Sequence, residues 1–333
     1  MTNVDGTAPW IDVAMMQTGE LPTIGESSEP EPVQGKASTP RGSRRGLAAS
    51  LPGTEAVDPP AQTRSGSASD NRQTARPKGK ARVMAVANQK GGVGKTTTAI
   101  NLGACLADEG HRVLIVDMDP QGNATTGLGL NVRNLDVSVY DVIMRDLPMD
   151  DCYEPTRFRN LFVAPAAISL AGAEVELVPL MSREFRLRRA LEPITDEFDF
   201  ILIDCPPSLG LLTVNALAAA DEVLLPVQCE YYALEGVGQL LRNVELVANS
   251  LNPTLGVSTV ILTMYDARTN LAEQVAQEVR AYFKGRVCRS VVPRTVRLSE
   301  APSHGEPIIS YDPLSRGAIA YRELAEEVSH GSA

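Results

Sequence analysis

Six short runs of aliphatic and β-branched residues recur between residues 83 and 263, separated by segments of helical length. They are VMAVAN (83–88), RVLIVD (112–117), LFVAP (161–165), FILIDC (200–205), EVLLPV (222–227) and VSTVILT (257–263). Near-continuous apolar runs of this length describe strands buried on both faces. The intervening stretches 95–109, 183–192, 211–220, 235–249 and 270–283 read as helices. Strand and helix in alternation dictate βαβ units, so the chain is an α/β fold: a mostly parallel twisted sheet flanked by helices on both faces. No internal repeat competes with this reading.

In such a sheet, ligands bind beyond the carboxyl ends of the strands, where loops lead into helices. The stretch NQKGGVGKTTT (88–98) stands at that place after the first run. Gly91, Gly92 and Gly94, with Val93 between them, let the backbone curl so that successive N–H groups point at one phosphate. Lys95 faces the β/γ-phosphates of a nucleotide, the Thr96 hydroxyl is placed to ligate Mg²⁺, and Thr97 continues the loop into the helix. The ordinary P-loop has glycine where this chain has Gln89, so the motif is the variant K-G-G-x-G-K-T-T. A glycine turn without a ligand is the competing reading, and the strand–turn–helix order speaks against it. The ordinary phosphate site needs one lysine, and Lys90 asks for a second reason.

Two further strand ends carry carboxylates. VDMDPQGN (116–123) ends the second run in Asp117 and Asp119, where a carboxylate can approach the γ-phosphate and orient an attacking water. ILIDCPPSLG (201–210) ends another in Asp204, suited to hold Mg²⁺ through its water shell. Each alone is as readily a turn former or helix cap. Three strand ends with complementary parts of one phosphoryl-transfer site are not.

The 333 residues include 43% hydrophobic ones, enough for a substantial core. No stretch of membrane-spanning length and no basic-then-apolar leader is present, so a cytoplasmic protein is expected. Five scattered cysteines and three histidines suggest buried reduced thiols and no metal cage. Residues 1–80, rich in Ser, Thr, Pro and Gly, hold nine acids and nine bases and are expected to form a disordered N-terminal extension. The folded domain is expected at 81–330. The apolar island APWIDVAMM (8–16), with the only tryptophan of the chain, is either a docking motif for a polar partner or plain tail.

The formal net charge of −10 argues against nucleic-acid binding and falls on the folded part, where 22 bases face 32 acids. Yet between Asp266 and Arg297 seven bases (Arg268, Arg280, Lys284, Arg286, Arg289, Arg294, Arg297) meet three acids. This is either a DNA-facing patch or a solvated helix face.

From Arg82 to Val328, through NQKGGVGKTTTAINLGACLA, VDMDPQGNATTGLG, ILIDCPPSLGLLTVNALAAAD, ILTMYDARTN and VPRTVRLSEAPSHGEPI, the chain resembles the ParA/Soj chromosome-partitioning ATPases. These are P-loop NTPases of the deviant Walker A type, which includes MinD. The resemblance implies a Mg²⁺-dependent ATP hydrolase, catalytic at Lys90, Lys95 and Asp119, with ATP held by residues 90–97. It makes Lys90 the signature lysine, reaching across an ATP-bound homodimer to the partner's phosphates, and it assigns Gly91 to the close packing there. It further implies non-specific binding of double-stranded DNA through Arg268 and Arg297, stimulation by a ParB-type protein, and residence on the nucleoid. The alternative within the same fold is a positioning ATPase for a non-DNA cargo or polar scaffold. No operator-binding helical domain is expected in residues 1–80. The C-terminal AYRELAEEVSHGSA is acidic and is expected to lack the apolar face of a membrane helix. The cysteine positions do not follow the bridging pattern of the nitrogenase iron-protein relatives.

Overall fold

The computed structural model describes residues 79–231 and 233–331. The expected disordered extension, but for its last two residues, and the docking motif at 8–16 lie outside the described residues.

Seven strands form one sheet: β1 (Arg82–Val86), β2 (Val113–Asp117), β3 (Glu154–Pro155), β4 (Leu161–Ala164), β5 (Phe200–Asp204), β6 (Glu222–Gln228) and β7 (Val257–Thr263). The helices are α1 (Lys95–Asp108), α2 (Asn123–Gly127), α3 (Val139–Arg145), α4 (Leu170–Glu176), α5 (Arg186–Leu191) and α6 (Leu211–Ala219). They continue with α7 (Ala233–Ser250), α8 (Asn270–Phe283), α9 (Val296–Glu300), α10 (Ile308–Tyr311) and α11 (Arg316–Ser329). The strand order is β3-β4-β2-β5-β1-β6-β7, parallel throughout except for the two-residue β3, which runs antiparallel on the edge.

The six strands read from sequence are all present, because strands covered on both sides must be apolar at every position. Their side chains alternate between two cores. Val83, Ala85, Leu114, Val116, Ile201 and Ile203 face α3 to α8, whereas Met84, Val86, Val113, Ile115, Phe200 and Leu202 face α1, α2 and the C-terminal helices. Each fully buried Val, Leu, Ile, Phe or Met side chain contributes roughly 1.5–3 kcal/mol relative to leaving it exposed.

Local chemistry sets the helix starts. The Thr269 side chain accepts the Ala272 N–H at the head of α8, and Ser138 with Asp141 forms a capping box before α3. The helix expected at 183–192 is shorter, since single 3₁₀ turns at Arg183–Phe185 and Glu192–Ile194 flank α5.

The C-terminal segment corrects one expectation. It does have an apolar face: Ala318, Tyr321, Leu324, Ala325 and Val328 of α11 are buried, recurring at helical spacing. That face is spent inside the core against α1, with the Tyr321 hydroxyl 3.2 Å from Thr98 Oγ1. Among the described residues, no helix is long and apolar enough to cross a membrane.

Candidate functional site

β2, β5 and β1 are adjacent, so their carboxyl ends bring Asp117 and Asp119, Asp204 and the loop from Asn88 to Gly94 to one edge of the sheet. The loop is tied from below. Asn88, at the end of β1, donates Nδ2–H to the Pro226 carbonyl at 2.8 Å and accepts the Lys90 N–H at 3.0 Å. Thr263 Oγ1 donates to the Val93 carbonyl at 2.8 Å, which anchors the loop to the end of β7. Gly92 and Gly94 have φ of +73° and +92°, a backbone region that favours glycine. Gly94 caps the 14-residue α1, leaving the first helical N–H groups, Lys95 among them, without intrahelical partners and open to an anion.

Gly91 is different. Its φ lies outside the left-handed region, and a side chain there would meet nothing within 4 Å of its Cβ. Neither the turn nor the packing of this chain requires glycine at that position.

Lys95 is 7% exposed, and its ammonium reaches the Lys90 carbonyl at 3.3 Å. Burial pushes its pKa down, opposed by the negative potential of Asp204, then Cys205 and Asp119. Asp204 is fully buried, and its pKa stands well above the ordinary carboxylate range because of burial and then the charge of Asp117; the Thr96 hydroxyl and Lys95 pull it back. Neither Asp204 oxygen has a well-formed hydrogen bond, although Thr96 lies close enough to favour the charged form. Burial thus outweighs the attraction between Lys95 and Asp204, and both are driven toward their neutral forms.

The structure sets Asp117 apart from Asp119, a pair the sequence leaves undivided. Asp117 is fully buried, and one oxygen accepts the Thr125 N–H and Oγ1–H at 2.8 and 2.7 Å while the other accepts the Asp119 N–H at 3.2 Å. Burial raises its pKa to about 6 in spite of these bonds. A carboxylate so engaged holds the loop between β2 and α2 together. Asp119 is the less engaged of the pair: among the described residues its side chain accepts only the Gln121 N–H, at Oδ1 and 3.0 Å. Asn88, just beyond β1, and Thr125, inside the short α2, carry no motif that marks them in the sequence.

The donor set suits a nucleotide with a divalent cation. An orphaned buried carboxylate beside a hydroxyl fits a hard-oxygen cation, and a buried lysine at a glycine-capped helix start fits a phosphate. Thr96 and Asp204 would hold Mg²⁺, and Lys95 with residues 90–97 the phosphates.

Arg268 and Arg297 lie apart from these groups. Arg268 follows β7, 88% exposed, with Nε and Nη2 on the two Asp266 oxygens at 2.8 and 2.7 Å. Those bonds lower the Asp266 pKa to about 2. Arg297 on α9 is 57% exposed and pairs with Glu300 at 3.1 Å and Asp312 at 3.5 Å. Arg294 pairs with Glu230. The basic stretch is therefore more neutralised in three dimensions than along the chain.

The family model described as an AAA domain matches residues 81–257. The chain is 60% identical over 248 residues to the sporulation initiation inhibitor protein Soj of Bacillus subtilis, covering 74% of this chain and 98% of that one. It is 56% identical over 247 residues to the chromosome partitioning protein ParA of Myxococcus xanthus, covering 74% and 87%. A crystal structure described as cobyrinic acid a,c-diamide synthase from Mycobacterium smegmatis, with bound ATP analogue and magnesium, superposes with a TM-score of 0.66 at 42% identity, covering 75% and 95%. The Pyrococcus furiosus cell division ATPase MinD superposes at 0.61 with 28% identity, covering 75% and 98%. With its seven-stranded sheet, glycine-capped α1 and strand-end aspartates, the chain belongs to the ParA/Soj family of chromosome-partitioning ATPases.

Proposed function

We propose that this chain is a Mg²⁺-dependent ATP hydrolase whose ATP-bound homodimer binds double-stranded DNA without sequence preference on the nucleoid, and that a ParB-type partner stimulates hydrolysis and so releases it. The observation that carries the reading is the buried Asp204 carboxylate, without a well-formed hydrogen bond, set beside Thr96 and Lys95 at the head of α1. Bound Mg²⁺ supplies charge neutralisation to the phosphates. Lys95 and the N–H groups at the head of α1 hold the phosphates in line, and Asp119 orients water and accepts its proton at the carboxylate.

Lys90 has its backbone in the loop, and its side chain is only partly buried. It answers the need for a cation toward a second subunit, where two facing nucleotides concentrate negative charge. Gly91 supports the same reading, since nothing inside this chain excludes a side chain there. The ATPase unit spans 81–330 in this proposal. Arg268 and Arg297, doubled by the dimer, provide the phosphate contacts; their surface ion pairs are weak, about 0–1 kcal/mol each, so nucleic-acid phosphates can displace them.

A second reading, positioning of a non-DNA cargo, is favoured by the acid partners of both arginines and by the net charge of −10. ATP turnover measured with and without duplex DNA and a ParB-type protein separates the two. Stimulation supports partitioning, and turnover indifferent to DNA supports the other cargo.

A further inference from the structure

The loop that carries Asp119 is closed by a buried threonine. Thr125 is fully buried, and its hydroxyl serves two partners on different elements: it donates to Asp117 Oδ2 at 2.7 Å and accepts the backbone N–H of Ala166, beyond β4, at 3.0 Å. Its own N–H donates to the same Asp117 oxygen at 2.8 Å. The other Asp117 oxygen holds the Asp119 N–H at 3.2 Å, and the Gly122 N–H returns to the Asp119 carbonyl at 2.9 Å. Asp117 and Asp204 are register partners on neighbouring strands, so an Asp117 side chain released from Thr125 could turn toward Asp204 and compete for its cation.

We propose that Thr125 is a positioning residue for hydrolysis: by holding Asp117 it fixes the Asp119 backbone and keeps Asp204 as the one strand-end carboxylate offered, with Thr96, to the cation. This rests on the reading of the site as an ATP hydrolase. At this position one atom must both donate and accept. Serine can do so; valine, of the same shape as threonine, can do neither. Because Thr125 touches neither Lys95 nor the glycine loop in any hydrogen bond, its loss is expected in turnover and not in nucleotide affinity.

The test is steady-state ATP hydrolysis with Mg²⁺, together with nucleotide binding, for the full chain and its Thr125→Val, Thr125→Ser and Tyr321→Phe variants. Tyr321→Phe removes another fully buried hydroxyl, on α11, and controls for general loosening of the core. Thr125→Val should lower kcat about 10- to 100-fold, the scale of a misplaced reacting group. Its KM and nucleotide Kd should stay within about threefold of wild type, and Thr125→Ser should restore kcat to within about threefold. Tyr321→Phe should lower Tm and leave kcat unchanged. Unchanged kcat in Thr125→Val, an equal loss in Tyr321→Phe, or a loss confined to nucleotide affinity would overturn the proposal. If Thr125→Val does not fold, Asp117→Asn carries the same expected split between kcat and affinity. A wild-type chain that binds ATP without hydrolysing it would overturn the hydrolase reading itself and this inference with it.

Discussion

Asp117 and Asp204 stand at the same register of β2 and β5, both fully buried, yet the oxygens of Asp117 are taken up by Thr125 and Asp119 while those of Asp204 have no well-formed hydrogen bond. Two carboxylates one strand apart, roughly 4.8 Å in the hydrogen-bonding direction, repel each other, and after burial the charge of Asp117 is the next cause that raises the Asp204 pKa. The chain keeps one saturated and one free, which separates the group that holds the loop from the group that can take a cation.

A buried charge without partners costs stability. The folded-state pKa of Asp204 is raised above its unfolded value, so its cost is absent below about pH 4 and grows as the pH rises through the folded value. Without nucleotide, Asp204→Asn is expected to be more stable than wild type at neutral pH by roughly 1–3 kcal/mol, an advantage that shrinks toward about pH 4. Urea denaturation across that range, paired with Mg²⁺-dependent ATP binding, checks it. Binding should be lost as stability is gained, and a variant less stable than wild type at neutral pH would contradict the assignment.

The two loop lysines should fail differently. Lys95 is buried at the head of α1, so Lys95→Ala should weaken ATP binding by at least about 100-fold, the scale of losing a desolvated charge-assisted contact. Lys90→Ala should leave ATP affinity nearly intact and abolish the ATP-dependent dimer. Calorimetry for binding and light scattering for mass separate them; equal loss of affinity in both would refute the division.

Asp119→Ala removes the carboxylate proposed to orient water and leaves Lys95, Thr96 and Asp204 in place. ATP turnover should stop while the ATP-bound dimer accumulates. Sedimentation with saturating ATP and Mg²⁺ reads the outcome, and a variant that stays monomeric would count against the role given to Asp119.

Under the proposed DNA binding, Asp266, which pairs with Arg268, competes with DNA phosphates for it. Replacing Arg268 or Arg297 by alanine should reduce affinity for all duplex sequences alike and flatten the salt dependence by about 0.9 in log–log slope for each phosphate no longer neutralised. Asp266→Asn, which keeps the turn and removes the charge, should raise ATP-dependent DNA affinity severalfold, in line with an exposed pair worth about 0–1 kcal/mol. Titrations at two salt concentrations test both directions. DNA affinity indifferent to all three changes would move the DNA surface elsewhere.

The strand set and the glycine loop were open to reading because their causes are local in sequence. A strand covered on both faces must be apolar at every position, and a phosphate loop needs glycines at fixed spacing after a strand. β3 left no such trace, being two exposed residues paired on an edge. Neither did the seating of α11: Tyr321, Leu324 and Val328 show a helical period, but their value depends on α1 lying beneath them, and the acidic residues between them dominate a linear reading.

For the site, residue types and order along the chain were enough to single out Lys95, Thr96, Asp119 and Asp204 as the set proposed here for phosphoryl transfer. Which aspartate is saturated and which is free was decided only in three dimensions, because hydrogen bonding to Asp117 comes from Thr125, itself tied to Ala166 on a different connection. The same holds for the arginines. Sequence counts charge along the chain, whereas Glu300 and Asp312 reach Arg297 through a turn and a neighbouring helix, so the net potential at that surface exists only once the chain has folded.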